Sequence, residues 1–206
     1  MPATITHAYF ANDLYDVLPI GLKKLLMDDK QKLRMFAQST DPLIFYNLLK
    51  RKDKKIRDFQ GYFHTNKTGE FLINLINYIK YNNYYKNSEI MAFLYGFISH
   101  YILDSKLHPF IIYKTGIFKE DDPNTYKYRN KHEYMENFLD NYMIKQKEGI
   151  NPHKFKFYDF WYSKDNFSKE LIEVIDYAFK ESYGIENFSK YYIKSLNDMY
   201  KSLKYL

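Results

Sequence analysis

The sequence predicts an all-α chain, and three observations carry the prediction. Where periodicity can be read, apolar residues recur every three to four positions, the helical spacing. Only seven Gly and six Pro occur in 206 residues, which suits short joints between long helices and is sparse for the turns of a sandwich or barrel. An almost unbroken apolar run over residues 90–103, opened by polar residues and followed by Pro109, reads as a central helix. The length and a hydrophobic fraction of 46% suit one domain over residues 1–206 with a sizeable core. No repeat, low-complexity linker or domain break interrupts it.

Residues 6–18 read as the first helix, with Phe10, Leu14 and Val17 on one stripe and His7 a turn earlier on the same stripe. A short helix follows at 31–38. Asp41 before Pro42 has the form of a helix start, the carboxylate as cap and the proline in the first position, leading into a helix over 43–50. His64 falls in GYFHTNKTG, read as a polar joint, and the preceding Tyr62 and Phe63 turn it inward; a helix over 69–81 comes next. The central helix starts near Ser88 and ends at His108, because Pro109 disfavours helical backbone in the residue before it.

Beyond Gly116 and the acidic residues Glu120, Asp121 and Asp122, a helix over 128–146 directs Phe138, Leu139 and Met143 to the core. His153, in NPHKFKFYDFWY, has no companion at ligand spacing and reads as surface. Two helices over 166–180 and 185–203 close the chain, the last with Phe188, Tyr192, Leu196, Met199 and Leu203 as a core stripe.

Composition bounds the chemistry. With no cysteine there is no disulfide framework, and a transition-metal site must use His, Asp and Glu. The formal charge of +6 favours an anionic partner such as a phosphate ester or an acidic membrane surface, although a solvated lysine-rich face is the commoner explanation of such an excess. The first residues lack a charged leader before an apolar core, and no run is long enough to span a bilayer. A soluble, cytoplasmic protein is expected from the chain as written, or a secreted one if a leader has been trimmed.

His100, Asp104 and His108 stand at spacings of four and share one side of the central helix. An imidazole and a carboxylate one turn apart can chelate an ion without bending the backbone. His100 and His108 lie about 12 Å apart along an ideal helix, so more than one ion is implied. His132 and Glu136 repeat the i, i+4 pairing, with Glu133 facing away. Against this stands the plainer reading, a hydrogen-bonded core histidine with an aspartate partner.

Together His7, Asp41, His64, His100, Asp104, His108, His132 and Glu136 form an ordered series that takes in five of the six histidines. The series resembles the bacterial zinc-dependent phospholipase C family, related to single-strand-specific zinc nucleases. GFISHYILDSKLHP is similar to the family's H-x-x-x-D-x-x-x-H-P pattern and KHEYME to its H-x-x-x-E. An N-terminal histidine before a helix, the DPLIFY segment and a lone histidine some twenty residues later agree more weakly. The likeness spans about residues 1–140.

The resemblance implies a helical domain with up to three zinc ions in a cleft. Carried over, Asp41, His64, His100 and Asp104 hold one ion, His108, His132 and Glu136 another, and His7 with a bridging Asp104 the third. In the family a free N-terminal amine and carbonyl complete that third site. This chain begins Met1-Pro2 with neither signal nor tryptophan there, so the third site depends on whether Met1 is removed.

The implied activity is phosphodiester hydrolysis, phospholipase C-like, with Asp41 as ligand and general base. Clustered dications suit such anionic esters by neutralising phosphoryl oxygens and acidifying water. The implied partners are a phospholipid or other phosphodiester and, peripherally, an anionic membrane surface. The alternatives are a nuclease of the same superfamily, with nucleic acid as partner, and a noncatalytic metal-binding helical protein. No alternation of basic and aromatic residues marks a strand-binding track. A di-iron site would want Glu-x-x-His pairs that are missing. Substrate-binding residues are not assigned by the sequence.

Overall fold

Asn87 starts the helix around which the others pack: its side chain accepts a hydrogen bond from the Ile90 amide at 3.1 Å, satisfying a first-turn donor. That helix belongs to a computed structural model of the chain, which describes residues 4–205. In chain order the helices are α1 (Thr4–Val17), α2 (Ile20–Leu26), α3 (Lys30–Phe36), α4 (Lys54–Thr65), α5 (Thr68–Tyr81), α6 (Ser88–Thr115), α7 (Lys131–Glu148), α8 (Phe157–Trp161), α9 (Lys169–Tyr183) and α10 (Phe188–Tyr205). Short 3-10 turns link several of them, and the described residues contain no strand. The all-α expectation is met.

The N-terminal half of α6 is buried on nearly every side from Glu89 to His100, which is why its sequence is apolar without a polar face. Phe93 and Phe97 meet Phe36 of α3, Phe71 of α5, Phe179 of α9 and Tyr192 of α10 in an aromatic core. Full burial of each such ring contributes about 1.5–3 kcal/mol, so the aromatic load of the sequence is largely spent on packing. The stripe on α10 points inward in full: Phe188, Tyr192, Leu196, Met199 and Leu203 are all buried.

Gly96 sets the approach of α3 to α6. A Cβ there would lie 2.6 Å from Phe36 Cβ and 2.8 Å from the Phe36 carbonyl carbon. The absence of a side chain lets the end of α3 come down onto α6 one turn before His100.

Several local expectations are corrected. The central helix does not stop at His108 but runs through Pro109 to Thr115. Pro109 lies on the solvent side, and Ser105, whose carbonyl loses its helical donor there, is exposed to water as well. The stop is Gly116, at φ 72°, packed against the ring of Tyr128. Residues 43–50 form no α-helix; Asp41–Phe45 is a 3-10 turn, and the Asp41 side chain does not cap it. Residues 123–128 form a 3-10 turn before α7, which begins only at Lys131. Val17 and Phe138, expected in the core, are exposed, and Ile144 takes the buried place on α7. The helices α2, α4 and α8 were not foreseen. His153 is exposed as expected.

Candidate metal centre

Five segments deliver polar side chains to one end of the buried half of α6. The first turns of α1 are buried all round, and His7 enters the interior there, stacked on the His100 ring with centroids 4.2 Å apart. The 3-10 turn brings in Asp41, 2% exposed. His64 comes from the last turn of α4, not from a loop as GYFHTNKTG suggested, because Gly61 is accommodated within the helix. α6 supplies His100, Asp104 and His108, and α7 supplies His132 and Glu136.

Asp104 is the hub. Its Oδ2 lies 3.0 Å from His100 Nε2 and 3.4 Å from His64 Nε2, and its Oδ1 lies 3.2 Å from His7 Nε2 and 3.5 Å from His108 Nε2. Burial works to raise its pKa, but His100 first, then His64 and His7, hold it far below the ordinary carboxylate range. A second carboxylate, Glu136, stands 3.1 Å from His132 and 3.7 Å from His108. Burial, reinforced by Asp41, Asp104 and Asp140, pushes Glu136 up to about 8.

The tautomers of two histidines decide what the cluster can hold. His64 Nδ1 is 2.8 Å from the Gln60 carbonyl and His100 Nδ1 is 2.9 Å from the Ala37 carbonyl. A carbonyl only accepts, so both Nδ1 atoms carry hydrogen and both neutral rings present bare Nε2 lone pairs. Those two Nε2 atoms face each other at 2.9 Å, with Asp41 Oδ1 3.3 Å from His64 Nε2. Lone pairs and carboxylates converging this closely repel unless a proton or a cation lies among them. A divalent cation fits this donor set, and the carbonyls act as the outer partners that orient metal-binding imidazoles.

Three groups bring their donor atoms within 4.8 Å of one another: His7, Asp41 and His100; His64, His100 and Asp104; and His108, His132 and Glu136. All eight residues singled out from the sequence therefore lie in one cluster. His100 belongs to two groups, and His108 stays on the continuous helix. The Met1-Pro2 expectation lies outside the described residues.

Gln60 was missed in the sequence. Its amide donates to Asp41 Oδ1 at 2.7 Å, and only the unforeseen α4 register, one turn before His64, could have pointed to it. All of the eight except His100 line an open cavity of about 370 Å³, together with Gln60 and Glu133. Donors that face an open cavity leave room for a substrate, as catalytic metal sites require.

Comparison with protein families returns zinc-dependent phospholipase C, matched over residues 6–199. The chain belongs to the zinc-dependent phospholipase C family. The match extends past the motif-bearing part to take in α9 and most of α10, so the closing helices belong to the family fold. It supports a zinc-dependent hydrolase of the phosphodiesterase type. No curated protein and no solved structure matches the chain. Among the described residues, no helix of this phospholipase C family member is long and apolar enough to cross a membrane.

Proposed function

We propose that this protein hydrolyses phosphodiesters in the manner of a phospholipase C, with a phospholipid as substrate. The observation that carries the reading is the convergence of eight histidine and carboxylate side chains, seven of them on an open cavity. Asp41, His64, His100 and Asp104 would hold one zinc ion, His108, His132 and Glu136 a second, and His7 with Asp104 a third. Bound zinc supplies Lewis-acid neutralisation of phosphoryl oxygens and acidifies water.

The protein's own groups orient and exclude. The Gln60 amide holds one oxygen of Asp41, and Asp41 lines the open cavity, where it would take a proton from the attacking water as the general base. The Ala37 and Gln60 carbonyls hold His100 and His64 in one tautomer. Exposed Tyr101, Ile102, Phe110 and Tyr113 beside Lys106 and Lys114 on α6 support peripheral contact with an anionic membrane.

The test is zinc analysis of purified protein with hydrolysis assays on short-chain phosphatidylcholine, single-stranded DNA and a small chromogenic diester. Phosphatidylcholine cleavage per bound zinc that falls by about 10²–10⁴ in Asp41→Asn is expected, with zinc content measured alongside because Asp41 is also a proposed ligand. Cleavage of DNA alone would make the protein a nuclease, and zinc-replete protein inert on all three would make the metal centre noncatalytic.

A further inference from the structure

The 3-10 turn that carries Asp41 leads into a loop whose surface the metal centre does not use. Over residues 44–55, IFYNLLKRKDKK, Leu49 is 99% exposed, Leu48 48% and Ile44 36%. Lys50, Arg51, Lys52, Lys54 and Lys55 follow directly, and all five are exposed. Lys54 pairs with Asp58 at 2.7 Å, and the Asp53 carboxylate accepts from the Asn47 side chain at 2.9 Å. Among the described residues Lys50, Arg51, Lys52 and Lys55 form no ion pair, so four cations face solvent beside two leucines.

This exposure is built into the fold. Arg57 of α4 reaches back to the carbonyls of Tyr46, Asn47 and Lys50 at 3.1, 3.2 and 3.2 Å. The Asn47 amide donates to Asp198 of α10 at 3.0 Å, and Asn47 takes a left-handed conformation, φ 44°, that asparagine tolerates. Those contacts fix the backbone on both sides of Leu48 and Leu49. A basic face kept only for solubility has no use for adjacent leucines in water.

The loop also stands at the mouth of the metal centre. Ile44, Gln60 and Gly61 line the open cavity, and the same three residues, with Leu48, Lys54 and Arg57, line a shallow depression beside it. A surface that takes up Leu48 and Leu49 is thereby brought against the cavity opening.

We propose that residues 44–55 dock the protein on an anionic lipid bilayer, with Leu48 and Leu49 entering the interface and Lys50, Arg51, Lys52 and Lys55 among acidic head groups. The proposal rests on the phospholipid reading of the metal centre and adds the surface and the lipid charge that bring it to its substrate. The leucines leave water, and the cations meet a negative surface potential that acts over about a Debye length. A nucleic-acid strand would use the charges but not the leucines, because strands are taken up by stacking on aromatic rings, and residues 47–55 contain none.

The experiment is flotation of the zinc-loaded full chain, after brief contact, with vesicles of phosphatidylcholine alone and of phosphatidylcholine mixed with phosphatidylglycerol. Binding is expected on the anionic vesicles, weakening in high salt and falling about fivefold with each of Lys50→Ala and Lys52→Ala. Leu49→Ser, in solvent and outside the metal centre, should weaken it by about tenfold or more while hydrolysis of soluble short-chain phosphatidylcholine is unchanged.

Equal binding to neutral and anionic vesicles, unchanged binding in Leu49→Ser, or loop-dependent capture of single-stranded DNA in place of vesicles overturns the proposal. Binding that survives Leu49→Ser but is lost in Tyr113→Ser places the contact on α6 and overturns it as well. Loop-dependent vesicle binding by a protein that cleaves no diester leaves the dock standing and defeats the hydrolase reading, whereas diester cleavage without vesicle binding defeats the dock alone.

Discussion

Asp140 of α7 holds the first turn of α1 through Thr6. Its Oδ1 accepts from the Thr6 amide at 2.8 Å and from the Thr6 hydroxyl at 2.7 Å, while Oδ2 accepts from the Ile5 amide at 3.2 Å. A helix leaves its first amides without partners, and here the missing acceptor comes from another helix. Those bonds keep the carboxyl useful although burial pushes it up to about 6. The next residue after Thr6 is His7, so the same contact fixes the imidazole that faces Asp104.

Asp140→Ala should therefore cost about 1–3 kcal/mol of stability and lower zinc content by the share that depends on His7. Denaturant unfolding and metal analysis of the same preparation check both effects. Unchanged zinc content would confine Asp140 to a purely local role.

Gly96→Ala tests the approach that places the Ala37 carbonyl at His100 Nδ1. The added methyl meets the Phe36 backbone and Cβ, which cannot swing away as a flexible side-chain end could. A loss of about 1–3 kcal/mol is expected, the usual cost of overpacking. Zinc affinity should fall with it, because α3 must shift and take the Ala37 carbonyl along. A stable variant with full zinc affinity would mean that the helices separate without disturbing His100.

How far the site could be read from the sequence depended on whether its spacing was local. His100, Asp104 and His108, and likewise His132 and Glu136, sit on single helices, where i, i+4 spacing alone puts them side by side. By its own local spacing Asp41 reads as a helix start, a role its side chain does not play, and only the family resemblance points to it as a ligand, because its partners Gln60 and His64 come from another segment. His64 was read as a loop residue since Gly61 and the polar residues after it mimic a joint; burial of Phe63 against Phe71 and Phe97 outweighs that local tendency. The helix through Pro109 was misjudged for the converse reason, a local rule relaxed by solvent on the proline's side. Gly96 and Asp140 carried no sequence signal, because their importance lies in what packs on them.

The metal-free protein should lose stability in alkali. For His64, burial favours the neutral ring, but the Asp104 hydrogen bond and the charge of Asp41 outweigh it and raise the group to about 9. A histidine so raised contributes stability in full below its ordinary 6.5, and the contribution disappears as pH rises through 9. Glu136, raised to about 8, acts in the same direction over a lower window that begins at its ordinary 4.5.

Chelator-treated protein is therefore expected to be less stable at pH 9.5 than at pH 6.5, by on the order of 3 kcal/mol from His64. Zinc binding must displace that proton, so zinc affinity rises over the same window. Denaturant unfolding with chelator and with excess zinc, across that range, reads both. An equal alkaline loss in His64→Ala would assign it to other groups.

The group formed by His108, His132 and Glu136 can be separated from the rest by substitution. His132 is 3.1 Å from Glu136, its ring lies edge-on to His108 with centroids 5.3 Å apart, and these three residues form a group that shares no member with the other two. His132→Ala should remove one ion, leave the deeper groups able to bind zinc, and keep the fold, since His132 is only half-buried. His100→Ala should do more, because that ring belongs to two groups and stacks on His7.

Ligands that bind only the folded chain stabilise it by mass action, about 4 kcal/mol at a thousandfold excess over the dissociation constant. The zinc-induced rise in unfolding midpoint should accordingly shrink modestly in His132→Ala and almost vanish in His100→Ala. Thermal melts with and without zinc, paired with metal counts, measure this order. Equal losses in the two variants would mean that the ions bind as one inseparable cluster.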